Sequence, residues 1–216
     1  MALLGLVLKF VVSLLLWPLS LCLAWSLGHL LWALPWAQGQ LPWFGAGFVA
    51  YLLVQAFFWR PLFLYVMGHE LTHALAAVLQ GGQADDLRVS TKGGMVKVNR
   101  SNFVVNLAPY FFPLYTAAAC GVWVIAAERF RPALALLVGF SLAFHFALTL
   151  YSLRQHQSDL SEVGWLFAIP LILALNLVIT ALVLRLLAGD VVNLQAFLTE
   201  SLAAMGRSAS WIRQRL

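Results

Sequence analysis

Apolar residues dominate this chain in long blocks, and short polar interruptions divide them. Residues 3–34 form one apolar stretch with Pro18 inside it. About 20 such residues span a bilayer, so the stretch predicts a tilted or kinked transmembrane helix. A polar-leaning break over residues 35–42 (Gln38, Gly39, Gln40) precedes a second apolar run, residues 43–59. Arg60-Pro61 punctuates that run, because the residue before proline is pushed out of helical geometry and proline starts helices well. A helix over residues 61–80 follows, and Gly81-Gly82 supplies its C-terminal stop.

Residues 84–101 differ from everything around them, holding Asp85, Asp86, Arg88, Lys92, Lys97 and Arg100. Leu87-Arg88-Val89-Ser90 and Met95-Val96-Lys97-Val98 alternate apolar and polar, with Gly93-Gly94 between. Period-two alternation around glycines predicts a β-hairpin turning at the glycines, against a solvated loop as the alternative. Further spans are predicted over residues 103–127 (with Asn106, Pro109 and Pro113), 133–153 (with His145) and 163–187. The turn Glu128-Arg129-Phe130-Arg131-Pro132 and the polar turn 154–162 separate them. After Gly189-Asp190 the tail places Val191, Leu194, Leu198, Leu202 and Met205 at helical spacing and ends in Arg207, Arg213 and Arg215. That pattern suits an amphipathic helix on a membrane surface. The expected fold is an all-α polytopic membrane protein of five or six transmembrane helices with one small β-hairpin. Its transmembrane domain covers residues 1–187 and its amphipathic tail residues 188–216.

Composition agrees. The 216 residues are 62% hydrophobic and only 10% charged, with a mean hydropathy of +0.89; soluble domains carry about 25% charged residues. The net charge of +5 places Lys and Arg against anionic lipid and makes little case for nucleic acid. The nine tryptophans suit interfacial belts, with Trp32, Trp36 and Trp43 clustered where a membrane boundary is expected. Cys22 and Cys120 lie in apolar segments without a C-x-x-C and predict buried packing. Lys9 interrupts the first apolar run, which then continues too far for a signal-peptide core. Both predicted sides carry Lys and Arg, so charge assigns no orientation.

One polar cluster lies inside an otherwise uncharged apolar segment: His69-Glu70-Leu71-Thr72-His73. On a helix, residues four apart share a face, so the two imidazoles can hold one metal ion. Glu70 stands beside them, placed to take a proton from water. Ionisable groups inside a membrane are costly, so three together require a function. Catalytic zinc takes three protein ligands and an open position. Asp159, His156 and His145 are candidates for the third. Span alternation puts the 154–162 turn on the same side as the end of the His-motif helix. That favours Asp159 if the turn dips inward, while a helix N-cap is its alternative role. His156 shares a helical face with Asp159 and is a hydrogen-bond partner of a ligand, an alternative ligand or an exposed turn residue. Asn106, costly in an apolar helix, either donates to an oxyanion or caps backbone opened by Pro109 and Pro113.

Gly68-His69-Glu70-Leu71-Thr72-His73-Ala74-Leu75 resembles the signature of the site-2 protease-type intramembrane metalloproteases. Gly81-Gly82 and the hairpin resemble that family's membrane-associated β-hairpin, and Ser158-Asp159 its short aspartate motif. The likeness covers roughly residues 60 to 165. In better-known members Asn and Pro are followed closely by Asp-Gly. Here Asn106-Leu107-Ala108-Pro109 and Asp159 lie far apart and Leu160 follows the aspartate, the mark of a compact, divergent branch. The resemblance implies one zinc ion on His69, His73 and Asp159, Glu70 as general base, and cleavage of transmembrane peptide bonds. A helix hides its carbonyls, so a scissile segment must unwind, and the strand 95–98 (Met95, Val96, Lys97, Val98) is expected to hold it by β-addition. The expected substrate is a single-span membrane protein. The expected location is a multi-pass position in a bacterial inner (cytoplasmic) membrane, alone or in a membrane complex. A non-catalytic scaffold on the same fold and a proton-carrying transporter are the rival expectations.

Overall fold

The computed structural model describes residues 2–58, 60–155 and 158–213. Two compact units divide the chain: residues 1–35 with 164–216, and residues 36–163.

The first unit contains α1 (Ala2–Ala33), α8 (Trp165–Ala188) and α9 (Leu194–Arg213). Pro18 lies within the unbroken span of α1. Ser20 on α1 donates to its own helix at Leu16 and also to the Pro170 carbonyl of α8, at 2.7 and 2.8 Å. Helix α9 is two-faced: Phe197 and Ser201 are buried while Leu198 and Leu202 are exposed.

The second unit runs α2 (Leu41–Phe57), α3 (Leu62–Leu79), β1 (Ala84–Ser90), β2 (Gly93–Val98), α4 (Phe103–Phe111), α5 (Leu114–Ile125), α6 (Arg131–Leu153) and α7 (Ser158–Val163). Helices α2 and α6 meet backbone to backbone. A Cβ on Gly47 would lie 1.9 Å from the Leu136 carbonyl oxygen, and one on Gly139 would lie 1.9 Å from that of Phe44. Such close approach is open only to the smallest residue. Tyr51, Ala143, Phe144 and Leu148 form a buried cluster along the same seam.

Helix α3 ends as its glycines predict. Gly81, at φ +77°, donates to Val78 and Gly82 donates to Ala77, the paired reversed bonds that close a helix on a left-handed residue. The chain then folds back along α3 as an antiparallel hairpin. The glycines do not form the turn. Thr91-Lys92 do, and Gly93 and Gly94 open β2, paired with Ser90 and Val89. A bulge between Asp85 and Arg88 leaves Asp86 at φ +52°, a conformation aspartate tolerates better than most residues.

The segment predicted as one span over 103–127 is two helices. Asn102 caps α4, accepting from the Val104 and Val105 amides. Pro113, which cannot donate, begins α5 after a 68° bend. Gly164, at φ +96°, separates α7 from α8. Among the described residues four helices are long and apolar enough to cross a membrane, or five if the bent pair counts as one. Helix α2, 17 residues, is shorter.

Candidate metal centre

Helix α3 brings His69 and His73 onto one face, their Nε2 atoms 3.2 Å apart. The third group comes from α7. Asp159 Oδ2 lies 3.4 Å from His69 Nε2 and 3.5 Å from His73 Nε2. All three side chains are largely shielded, at 10%, 12% and 22% exposure. Asp159 therefore faces inward from the first turn of α7, and Leu160 beside it is fully buried.

The outer atoms of each ligand are held. The Val105 carbonyl lies 2.8 Å from His73 Nδ1, so that nitrogen carries the proton and Nε2 keeps its lone pair. Tyr65 hydroxyl donates to Ser152 and is left to accept from His69 Nδ1 at 3.4 Å, which likewise frees His69 Nε2. Tyr110 hydroxyl donates to Asp159 Oδ2 at 3.1 Å.

Two nitrogen lone pairs and a carboxylate oxygen thus converge on one point, which calls for a cation. Bonds of about 2.1 Å at a tetrahedral angle put zinc ligands about 3.4 Å apart. The three separations observed, 3.2, 3.4 and 3.5 Å, match that spacing. The residues present fit zinc.

Glu70 is buried beside His69, and both line a cavity of about 280 Å³ with the hairpin tip and Tyr151, Ser152 and Gln155 of the α6 end. Strand β2 lies directly on Glu70. A Cβ on Gly94 would sit 2.7 Å from Glu70 Cγ and 2.6 Å from Val66 Cγ1. The Val96 backbone amide lies against the Glu70 carboxylate.

The other predicted residues are placed as follows. Asn106 Nδ2 donates to Glu162 and its Oδ1 accepts from Ser101, both at 2.9 Å. These two bonds tie the start of α4 to α7. His145, on α6, lines a cavity that His69 also lines and stacks near Phe146, and the metal-competent group does not include it. His156 lies outside the described residues. On β2, Met95 is exposed, Lys97 pairs with Asp86 at 3.0 Å and Val98 pairs with Ala84.

Sequence reasoning missed Tyr65, Tyr110, Ser152 and Gly94. Tyr65 had a signal, since it precedes His69 by one helical turn. Tyr110 and Ser152 had none, because only folding brings them near the motif. Comparison with family models, with curated proteins and with solved structures finds no match for the chain.

Proposed function

We propose that the protein is an integral membrane zinc endopeptidase, similar to the site-2 protease type, that hydrolyses peptide bonds in or near transmembrane segments. The observation that carries this reading is the convergence of His69, His73 and Asp159 at zinc-ligand spacing with Glu70 alongside. The exposed apolar side chains favour a bilayer. Trp32, Phe57, Phe58, Leu79 and Ile125 are each more than 70% exposed, and a soluble monomer rarely displays so many together. Helix α9, with exposed Leu198 and Leu202, suits the membrane surface, and we place the multi-pass chain in a bacterial inner membrane.

Zinc held there would lower the pKa of water toward neutrality and polarise a carbonyl. Glu70 takes the proton from the attacking water and returns it to the leaving amine. Val96 and Gly94 fix the carboxylate from above. The hairpin tip is non-helical backbone that lines the cavity against Glu70, and that cavity would bring water to the site. An unwound single-span substrate would pair with the backbone of β2 over residues 95–98 by strand addition. The rival scaffold reading shares this fold and this metal. Metal content of the purified protein, together with cleavage of a co-expressed single-span protein by wild type and Glu70→Gln, separates the two. A wild type that binds zinc and cuts nothing would favour the scaffold.

A further inference from the structure

Two tyrosines touch the ligand set, and they touch it on opposite sides. Tyr65 reaches His69 at Nδ1, the nitrogen turned away from the centre, and its hydroxyl proton is already given to Ser152. Tyr110 reaches Asp159 at Oδ2, the same oxygen that faces both histidine Nε2 atoms. Its hydroxyl therefore lies against the oxygen nearest the centre. The ring is fully buried and meets the His69 ring edge to face, 5.3 Å between centroids at 88°. Packing fixes the ring, while the O–H still turns about its own C–O bond. A donor carried on a fixed ring stabilises charge appearing within its reach during a reaction.

We propose that Tyr110 is a catalytic residue, the donor to the oxyanion formed when water adds to the scissile carbonyl. The inference rests on the hydrolase reading above. Water oxygen bonds to the carbonyl carbon, the C=O electron pair moves to the carbonyl oxygen, and Glu70 takes the proton. Tyr110 turns its O–H from Asp159 to that oxygen and keeps its own proton. The C–N bond then breaks, the C=O bond re-forms, and Glu70 protonates the amine. Tyr65 is a positioning residue acting through His69.

The test compares Tyr110→Phe with Tyr65→Phe, which both keep the ring and lose only the hydroxyl. The probe is a phosphinic dipeptide, a stable tetrahedral anion, titrated into zinc-loaded full-length protein. Tyr110→Phe should keep zinc affinity near wild type, bind the probe about 100-fold more weakly and cut kcat by about 100-fold with KM little changed. Tyr65→Phe should bind zinc about 10-fold more weakly and, once saturated, bind the probe as wild type does. Equal probe affinity in Tyr110→Phe and wild type would overturn the proposal and leave the metal site standing. Loss of zinc affinity in Tyr110→Phe would overturn it too, by making Tyr110 a second positioning residue. A wild type that holds zinc and ignores the probe would remove the hydrolase reading and this inference with it.

Discussion

Helices α3 and α8 are both apolar enough to span a bilayer, and both carry buried polar groups. They handle them differently. On α8, Thr180 bonds the Asn176 carbonyl and Asn176 bonds the Ile172 carbonyl, each one turn back along the same helix. On α3, only Thr72 does this, returning to Gly68. His69, Glu70 and His73 reach outward instead, to α7, β2 and α4. A polar group that bonds its own helix lowers the cost of its burial. Groups that draw three separate elements to one point hold those elements in place and create a site.

That contrast is broken most severely by removing a ligand. His73→Ala or Asp159→Ala should leave under about a tenth of the wild-type zinc, because each takes away one of three donors. His145→Ala should retain most of it. Metal analysis of the purified variants checks this, and full retention in His73→Ala would make α3 no different from α8.

Gly94→Val should act next most strongly, on catalysis rather than on metal. The new side chain would enter the space of Val66 and Glu70. Displacing a catalytic group by an ångström costs about 100-fold in rate. Cleavage should fall by that order while zinc content stays normal. Wild-type cleavage would show that β2 does not seat Glu70.

The α8 side of the comparison should yield little. Thr180→Val removes one bond of Thr180 to its own helix, and membrane hydrogen bonds average about 0.6 kcal/mol. A reversible unfolding titration should show a loss of that size, with zinc and cleavage unchanged.

Smallest of all is the effect of Asp86, which holds the bulge of the hairpin. The Arg88 guanidinium, and after it the Lys97 ammonium, keep the exposed Asp86 carboxyl below the usual carboxylate range. A group depressed on folding stabilises above its unfolded value, and that contribution disappears as pH falls through the folded value. Asp86→Asn should therefore melt slightly lower than wild type at neutral pH, and the two should converge in acid. An equal gap at both pH values would show that the loss is not one of charge.

Much of this was legible in the chain. The His69-Glu70-x-x-His73 spacing requires only helical geometry, and Gly81-Gly82 marks the end of that helix with a known hydrogen-bond pattern. The hairpin could be read from its alternation, although the turn was misplaced. Two glycines look like a turn, but Gly94 is needed for its missing side chain over Glu70. The bend between α4 and α5 was hidden because Pro109 fits within α4 while Pro113 ends the run, and spacing does not separate those roles. Asp159 could be a helix cap or a ligand on local grounds alone. Which role it takes depends on how far α7 turns inward, a matter of packing around Leu160. Tyr110 depends wholly on such packing, whereas Tyr65 stands one helical turn before His69.

The central claim is that Glu70 works chemically on a site that His69, His73 and Asp159 build. Zinc content and cleavage of a co-expressed single-span membrane protein, measured together for wild type and Glu70→Gln, test it most directly. Glutamine keeps the shape and the Val96 contact and loses the base. The account predicts equal zinc in the two proteins, a cut substrate with wild type and an uncut one with the variant. Substrate cut equally by both would contradict it.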